Sequence, residues 1–550
     1  MTSPQLLFHT LKHLKLRQIL GRFRFHLFRP RPTSIQGATT RASQQPLSVF
    51  LPVRQSVFIS QTSQVPVMRF LGDELAIDGP EAWNKTGKEK LFLYNVHYFD
   101  DLNAADCEHR IEVHDKLIEQ WIAENPAPLG NGWEPYPLSL RIVNWVQYFS
   151  RRDGVPQHWL DSLATQANYL SRRLEYHLLG NHLFTNAKAL VYAGSYLDKQ
   201  DKLLDVGLDI LEKQLPEQVL ADGGHFELSP MYHCIAMADF LDLIALSASY
   251  PAQIPAATRK RWTDTVEAMF LWLDRMRHPD GGISLFNDAA MDIAPGYESL
   301  ANYAKTQGID ALPAPPGVHH APQSGYITLH NERVACMLDI GHIGPDYIPG
   351  HAHADSLGFE LSLYGQRLIC DSGTSVYGNS DERLRQRGTG AHNTVLIDNE
   401  NSSEVWSGFR VARRAYPVDV DVKLTLAGLE VSAGHTGYRR LKGRNTHHRA
   451  WAIDISGMSI KDTISGRFNT ASAHYHLHPK VLAETNDAGI LLTLPAGQRV
   501  QFTCDGGYAQ LMASTWHPNF GDTLKSQKIV VPLDTTQLIS NFSWDPNVRS

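Results

Sequence analysis

The sequence has few cysteines and no cysteine pattern that defines a disulfide framework or a metal knuckle. Its five cysteines are scattered, odd in number and mostly placed inside apolar runs: Cys107, Cys234, Cys336, Cys370 and Cys504. No two of them have the CxxC spacing of a zinc or redox motif. We therefore expect buried free thiols, which fits a reducing compartment.

Long apolar runs and an excess of positive charge are also missing. No stretch approaches the roughly 20 consecutive apolar residues that span a bilayer, so no transmembrane helix is predicted. The formal net charge is −6, which gives no overall basic field for binding nucleic acid. With 43% hydrophobic and 20% charged residues, the composition is that of a globular protein, and 550 residues leave room for two to four domains.

The first 30 residues do not have the form of a secretory signal, because basic residues interrupt every apolar stretch and no small-residue cleavage site follows. The spacing of Leu7, Leu11, Leu14 and Ile19 among Lys and Arg residues instead predicts a basic amphipathic helix. Two interpretations stay open. The helix lies on an anionic membrane surface or a partner, or it packs on the body of the protein.

Three regions are predicted along the chain. Residues 1–65 form an N-terminal segment that ends in a linker rich in Pro, Ser, Thr and Gln. Residues 66–315 are mainly helical, with apolar residues at helical spacing and breaks rich in Gly, Pro and Asn. Repeated helix pairs of this kind favour an α-hairpin toroid over a compact bundle.

The pattern changes to strands in residues 323–550. Val334, Cys336, Leu338 and Ile340 alternate with other residues, and turn residues recur every ten or so positions. This spacing predicts an antiparallel β-sandwich. The predicted fold class is therefore a multidomain chain with helices first and strands afterwards.

Three imidazoles and two carboxylates lie close together at the start of the β region, in His351, His353, Asp355, Asp371 and His392. A His-x-His pair on a strand presents both rings on one face. Two histidines and an aspartate are a plausible donor set for Zn²⁺. The alternative is that these histidines are unrelated, since the chain has 26 of them.

Two motifs of the helical region carry further polar groups. Asn181 and His182 open a predicted helix after a Leu-Leu-Gly segment, and a helix N-terminus favours a bound anion such as a carboxylate. The alternative is a plain N-cap. Tyr232 opens a later helix after a proline, and its alternative role is that of a half-buried packing residue.

Seven segments together resemble the heparinase II/III and alginate-lyase superfamily of polysaccharide lyases, over roughly residues 65 to 450. They are LFLYNVHYFDDL (91–102), NGWEPYPLSLRIVNW (131–145), GNHLFTNAKAL (180–190), GGHFELSPMYH (223–233), GHAHADSLGFEL (350–361), LICDSGTSVY (368–377) and GAHNTVLID (390–398). The resemblance implies an incomplete (α/α) toroid followed by an antiparallel β-sandwich, with the substrate cleft between them.

The resemblance also implies catalytic roles in a β-elimination. Asn181 matches the residue that neutralises the uronate carboxylate, and His351 matches a further histidine beside it. His182 matches the histidine that acts as the base or assists it. Tyr232 matches the tyrosine that protonates the leaving oxygen and that, in a syn elimination, also removes the C5 proton. The chemistry is consistent, because a neutralised carboxylate lets negative charge build up when the C5 proton is removed.

His353, Asp371 and His392 match the three zinc ligands of the superfamily. The resemblance therefore implies a Zn²⁺ ion, which we expect to brace the loop that carries His351 more than to take part in the reaction. A catalytic role stays open, because three protein ligands leave one position free.

Candidate substrate contacts are Trp133, Tyr136 and Arg141, which could stack on a sugar ring or pair with an acidic group. Their alternative role is packing at a helix entry. Asn95, His97 and Tyr98 are similarly ambiguous. The basic run Arg383, Arg385 and Arg387 could hold an anionic polymer, and its alternative role is that of a solvated charged loop.

The predicted function is a lyase that cleaves a uronate-containing polysaccharide, for instance a bacterium's own acidic surface polymer. Alternatives are a uronate C5-epimerase, a non-catalytic glycan-binding protein and a glycoside hydrolase. The hydrolase would need a carboxylate pair, for which Glu134, Glu227 and Asp288 are candidates without a distinctive spacing. We expect a cytoplasmic or inner-membrane-associated location, with the periplasm as the alternative. The sequence does not indicate the particular uronate or the oligomeric state.

Overall fold

The computed structural model describes residues 4–49, 56–60, 65–291, 293–424 and 428–545. Helices dominate the first part of these ranges. They are α1 (Pro4–Leu11), α2 (Leu16–Leu27), α3 (Lys90–Val96), α4 (Ile111–Glu124), α5 (Pro135–Phe149), α6 (Gln157–Ser171), α7 (Gly180–Tyr196), α8 (Asp201–Gln218), α9 (Pro230–Ser249), α10 (Ala256–Arg275), α11 (Tyr297–Thr306) and α12 (Asp381–Arg387).

Strands dominate the second part. They are β1 (Phe58–Ser60), β2 (Val67–Phe70), β3 (Asp73–Ala76), β4 (Gly317–Ala321), β5 (Tyr326–His330), β6 (Val334–Asp339), β7 (Phe359–Leu363), β8 (Gln366–Ile369), β9 (Val395–Ile397), β10 (Val405–Trp406), β11 (Arg410–Val411), β12 (Pro417–Leu424), β13 (Gly428–His435), β14 (Thr446–Asp454), β15 (Gly457–Ser465), β16 (Ala471–His476), β17 (Leu482–Asn486), β18 (Gly489–Thr493), β19 (Arg499–Asp505), β20 (Gln510–Trp516), β21 (Leu524–Pro532) and β22 (Gln537–Trp544).

Among the helices α5 to α11, α7 and α9 are the inner ones and the others pack around them. α7 contacts α5, α6, α8 and α9, and α9 also contacts α10 and α11. Nearly every residue of α7 is buried, as expected for a helix covered on all sides. By length and hydropathy alone α9 could span a membrane, but 72% of its most apolar window is buried inside the protein. It is a core helix of the toroid.

Three larger antiparallel sheets build the β region. A five-stranded sheet has the order β4-β5-β6-β7-β8, an eight-stranded sheet has the order β12-β13-β14-β15-β22-β19-β18-β17, and a four-stranded sheet has the order β20-β21-β16-β9. Buried and less buried residues alternate along β14 and β15, so one face of the large sheet covers a core and the other faces outward. This arrangement confirms the predicted fold class of a helical region followed by antiparallel sheets.

The five-stranded sheet joins the helical and β regions. All six residues of β6 are buried, although the alternation in the sequence predicts one covered face. Cys336 and Leu338 contribute to the core of the β region. Met337 packs on the opposite side with Trp272 of α10 and Phe286. The strand is buried on both faces, because the β region covers the face with Cys336 and Leu338 and the toroid covers the face with Met337.

The predicted linker at residues 31–65 is attached to the toroid over its first part. The backbone amide of Ile35 donates to Thr165 Oγ1 at 3.0 Å, and that of Ala38 donates to Asp161 Oδ1 at 2.9 Å. Its residues 50–55 and 61–64 lie outside the described residues. The composition gave no sign of this docking, because the amides that make the contacts are common to every residue type.

Candidate active site

The start of α7 is pressed against the loop that carries His351. Leu179 and Gly180 both have positive φ angles, of 65° and 51°. A Cβ atom at Gly180 would lie 2.8 Å from Ile348 Cδ1 and 3.4 Å from Glu227 Oε1. The positive φ angle favours glycine here, and a side chain at this position would have to displace the end of the Ile348 side chain. The tight turn brings the residues that follow Gly180 next to those around His351.

Asn181 and His182 form the first group of the site, together with Tyr136. Asn181 Nδ2 donates to the hydroxyl of Tyr136 at 3.2 Å, and the Tyr136 and His182 rings have centroids 4.6 Å apart. His182 Nδ1 lies 3.2 Å from Glu175 Oε1, and 36% of the His182 side chain is exposed. Three predicted site residues thus meet, and one of them, His182, is partly exposed to solvent.

Glu175 sets the charge state of His182. Burial lowers the pKa of His182, but the Glu175 carboxylate raises it by more, so the pKa lies above its usual value. Burial raises the pKa of Glu175, but His182 and Asn186 lower it by more, so Glu175 stays ionised. The pair places an oriented imidazole beside Asn181.

Replacing Glu175 by glutamine is expected to lower the pKa of His182. The amide keeps the shape of the carboxylate but removes the negative charge that stabilises the imidazolium. The measurement is an NMR titration of the His182 ring in both proteins. The control is Glu119→Gln, since Glu119 pairs with the exposed His158 at 2.8 Å. An unchanged His182 titration in Glu175→Gln would contradict the assignment.

Tyr232 and His351 form the second group. Tyr232 lies in the first turn of α9, where the Ser229 hydroxyl caps the helix by accepting from its backbone amide. Its ring stacks on the His351 ring at 3.9 Å with an interplanar angle of 16°. The Tyr232 hydroxyl lies 3.1 Å from the Tyr377 hydroxyl, and His351 Nδ1 is hydrogen-bonded to Glu227. The structure therefore brings both predicted residues together and adds two partners.

The environment keeps Tyr232 protonated. Burial raises the pKa of Tyr232 well above its usual value, and Tyr377 and Asp288 raise it further. A neutral phenol can donate a proton but is a poor base. Burial raises the pKa of Glu227, but the neighbouring His351 lowers it by more, so Glu227 stays an acceptor for His351 Nδ1.

Sequence reasoning missed Tyr377 and Glu175. Tyr377 lies within the LICDSGTSVY segment, and its ring also packs on Phe409 at 5.1 Å. A second tyrosine close to the predicted ligand Asp371 was a weak signal that could have drawn attention to it. No local pattern links Tyr377 with Tyr232, which is 145 positions away. Glu175 lies outside the seven segments that carry the resemblance, so no motif drew attention to it.

Two predicted substrate contacts are buried packing residues. Trp133 is only 5% exposed, and its Nε1 donates to the carbonyl of Asn125 at 3.0 Å. Arg141 is fully buried and donates to Gln166 and to the carbonyls of His97 and Gly132. Neither side chain is accessible to a polymer, so a direct role in binding is not supported. Their alternative role in packing at the helix entry accounts for these contacts.

The basic run Arg383, Arg385 and Arg387 does not form an exposed basic surface. Arg383 is buried and pairs with Asp288, with Nη2 at 2.6 Å from Oδ2, and Arg387 is buried against backbone carbonyls. Arg385 is exposed and pairs with Glu382 at 2.7 Å. These charges stabilise the fold around the site instead of presenting a basic face.

The remaining ambiguous residues also have structural partners. His97 is buried between the carbonyl of Trp83 and the indole of Trp121, Asn95 donates to a backbone carbonyl of its own helix, and Tyr98 is buried. Glu134 accepts from Tyr94 and pairs with Lys90 at 2.9 Å. The three carboxylates weighed for a hydrolase are thus each engaged by a neighbouring side chain.

The predicted zinc ligands lie beneath the site. The His353 and His392 rings have centroids 5.2 Å apart, and His392 Nδ1 lies 2.7 Å from Asp371 Oδ2. Among the described residues, no group of three or more His, Cys, Asp or Glu side chains is arranged to hold a metal ion. His353 Nδ1, His392 Nε2 and Asp355 Oδ1 are nevertheless buried without a hydrogen-bond partner in the described part of the chain. Unpaired imidazole and carboxylate donors fit Zn²⁺ in chemical type.

Comparison with known families agrees with this architecture. Residues 82–308 match the heparinase II/III N-terminus model, and residues 313–545 match the heparinase II/III-like, C-terminal model. The two matches meet at the junction of helices and strands and together cover most of the chain. The chain belongs to the heparinase II/III family.

Curated relatives carry the name heparin-sulfate lyase. The protein from Bacteroides stercoris is 24% identical over 402 residues, which cover 68% of this chain and 58% of that protein. The protein from Pedobacter heparinus is 26% identical over 317 residues, which cover 51% of this chain and 47% of that protein. The chain thus spans about half the length of the curated relatives it matches.

Solved structures of heparinase III share the fold. One crystal structure of heparinase III has a TM-score of 0.67 at 18% identity, covering 100% of this chain and 88% of that chain. The heparan sulfate lyase HepC from Pedobacter heparinus has a TM-score of 0.58 at 19% identity, covering 84% of this chain and 78% of that one. At these identities the likeness establishes the fold.

Proposed function

We propose that this protein is a polysaccharide lyase that cleaves a uronate-containing polymer by β-elimination. The observation that carries the proposal is the protonated Tyr232 stacked on His351, next to the Asn181–His182 pair at the start of α7. Membership of the heparinase II/III family and the names of the curated relatives support it. A non-catalytic glycan-binding protein would have no use for such a proton donor.

Each group has a defined role in this reaction. Asn181 donates from Nδ2 to the uronate carboxylate, and His351, oriented by Glu227, is its second partner. His182 acts as the base in its neutral form: its Nδ1–H is held by Glu175, and its Nε2 takes the C5 proton while negative charge develops on the carboxylate. The C4–O bond breaks, Tyr232 gives its proton to the leaving oxygen, and a C4–C5 double bond remains. To complete the cycle, His182 releases the C5 proton to water and Tyr232 takes up a proton from water.

The substrate class follows from the relatives and from the chemistry. The relatives are named for heparin sulfate, so heparan sulfate is the first polymer to test. The reaction itself requires only that the substrate contain a uronate whose C4 oxygen forms a glycosidic bond. Unsulfated glucuronate polymers and bacterial capsular polysaccharides therefore belong in the same panel.

The test is the ultraviolet absorbance of the unsaturated uronate product, followed over the panel of polymers. Absorbance that rises with wild-type protein and fails to rise with Tyr232→Phe would support the lyase. Incorporation of deuterium at C5 without chain cleavage would instead support a C5-epimerase on the same fold. Neither cleavage nor exchange on any polymer, with binding retained, would favour the glycan-binding alternative.

We also propose that His353, Asp371 and His392 hold a Zn²⁺ ion that braces the loop carrying His351. The unpaired nitrogens of both histidines support this assignment. When bound, the ion would supply a fixed anchor for these side chains. We expect about one zinc per chain by elemental analysis and a lower melting temperature after chelation. His353→Ala should lose both effects, and the exposed His448→Ala should keep them. Metal content that is unaffected by His353→Ala would contradict the site.

A further inference from the structure

Residues 4–28 form two short helices that lie on the surface beside the candidate active site. Gln18 Nε2 donates to the carbonyl of Tyr347 at 3.0 Å. The Phe25 and His177 rings have centroids 4.0 Å apart. Tyr347 precedes His351 in its loop, and His177 follows Glu175. The segment therefore touches both stretches of chain that hold the catalytic histidines.

The side of α2 that faces the protein carries Gln18, Gly21 and Phe25. Gln18 is buried, and a Cβ atom at Gly21 would lie 2.9 Å from the backbone nitrogen of His177. Arg173 Nη1 donates to the carbonyls of Phe25 and Phe28, each at 2.7 Å. These contacts fix the rotation of the helix about its own axis.

The opposite side of α2 is apolar and exposed to solvent. Five side chains share this face, with exposed fractions of 69% for Leu16, 39% for Ile19, 59% for Leu20, 63% for Phe23 and 84% for Leu27. At 3.6 residues per turn they fall within an arc of about 100°, opposite Gln18 and Gly21. In a soluble protein, a surface helix normally packs such an apolar stripe against the core.

Basic side chains flank this stripe on both sides. Arg17 and Arg24 lie along one edge, and Arg22 lies along the other. Neither Arg22 nor Arg24 forms an ion pair within the described residues. Residues 1–72 contain ten Lys and Arg residues and no Asp or Glu, whereas the rest of the chain has a net charge of −16. The positive charge of the chain is thus concentrated around the exposed apolar stripe.

α1 also carries exposed apolar side chains. Leu7, Phe8 and Leu11 are exposed by 37%, 64% and 47%, and Lys12 follows directly. The indole of Trp406 donates to Thr10 Oγ1 at 3.1 Å and holds this helix against the β region. Both helices thus carry exposed apolar side chains with basic residues nearby in the sequence.

We propose that α1 and α2 bind the surface of an anionic phospholipid bilayer, with the apolar stripe inserted at the level of the headgroups. An apolar face bordered by Lys and Arg is the pattern of helices that lie in the membrane interface. A soluble polyanion would use the basic border but not the stripe, so the exposed apolar residues favour a bilayer. Binding in this way would place the candidate active site next to the membrane. This inference does not depend on the proposed lyase activity.

The test is co-sedimentation of the whole protein with vesicles. We expect binding to vesicles of phosphatidylcholine and phosphatidylglycerol, much weaker binding to phosphatidylcholine alone, and a loss of affinity as salt is raised. Arg22→Gln with Arg24→Gln should weaken binding by about fivefold per residue. Leu20→Ser with Phe23→Ser should weaken it by at least about tenfold, because the inserted apolar surface is lost.

The matched control is Leu482→Ser with Arg499→Gln, which removes an exposed leucine from the edge strand β17 of the large sheet and an exposed arginine from β19 of the same sheet. It should bind like wild type, and all variants should have the wild-type circular dichroism spectrum and melting temperature. Three results would overturn the proposal: no binding of wild type to anionic vesicles, an equal loss in the control, or full binding by Leu20→Ser with Phe23→Ser. The last result would show that charge alone holds the protein.

Discussion

Replacing Tyr232 by phenylalanine is expected to lower kcat by about 100-fold to 10,000-fold with little change in KM. The variant keeps the ring that stacks on His351 at 3.9 Å but has no proton for the leaving oxygen. General acid catalysis of this kind contributes a factor of that size. Because the lost interaction acts only as the C4–O bond breaks, the effect belongs to kcat. The measurement is the rate of unsaturated product formation on the polymer that the panel identifies.

Two matched variants define the effect. Tyr508→Phe changes an exposed tyrosine of the β region and should leave the rate unchanged. Tyr377→Phe removes the hydroxyl 3.1 Å from that of Tyr232 and should lower kcat by a smaller factor, since Tyr232 keeps its own proton. If Tyr232→Phe retained more than about a tenth of the wild-type rate, Tyr232 would not be the acid.

The fold could be predicted because it depends on patterns that repeat locally. Apolar residues at helical spacing and then at alternating positions mark which chain segments become helices and which become strands. These patterns do not determine exposure: in β6, Met337 lies between the alternating residues and yet packs against the toroid. Periodicity reports how many faces of a strand are apolar in sequence, but the neighbouring domain decides which faces are covered.

The candidate site was predicted only in part. Asn181, His182, Tyr232 and His351 have recognisable contexts in the sequence, and the structure brings them into two adjacent groups. Their partners are distant in sequence: Glu227 is 124 positions from His351. Such contacts depend on how the toroid meets the β region, which a local pattern does not encode.

Residue type was misleading where burial decides the role. Trp133 and Arg141 are of the types that bind sugars and acids, but both are buried, with Trp133 packed on Trp121 and Tyr169. Tyr136, only a few positions away, turns toward Asn181 and His182 instead. One segment therefore supplies both packing and site residues. Within α5, Tyr136 and Arg141 are five residues apart, which places them about 140° apart around the helix axis.

Replacing Asp462 by alanine is expected to lower the free energy of unfolding by about 3 to 5 kcal/mol at neutral pH. Asp462 of β15 lies directly opposite Arg449 of β14, and both are fully buried. Arg449 Nε donates to Asp462 Oδ1 at 2.7 Å, and His447 Nε2 lies 2.7 Å from the same oxygen. Removing the carboxylate leaves the guanidinium buried without its counter-charge, and losses of that size are typical. Urea denaturation measures the change.

The same pair predicts how stability depends on pH. Burial raises the pKa of Asp462, but Arg449 and His447 lower it by more, to about 2. In the unfolded chain the value is about 3.9. The ion pair therefore contributes its full stability above about pH 4 and loses it as the pH falls toward 2, by about 2 kcal/mol. Wild type should lose more stability over this range than Asp462→Ala.

Two further variants separate the ion pair from simple disruption. Asp462→Leu combined with Arg449→Met should recover part of the loss, because replacing both charges leaves none unpaired. Asp209→Ala breaks an exposed pair with Lys213 and should cost less than about 0.5 kcal/mol. If Asp462→Ala lowered the free energy of unfolding as little as Asp209→Ala, Arg449 would have another partner in the variant. The Arg449–Asp462 pair would then not be a main source of stability in this part of the sheet. Arg449 also donates to the carbonyls of Leu357 and Asn393, so its position is coupled to the loops that carry the predicted zinc ligands.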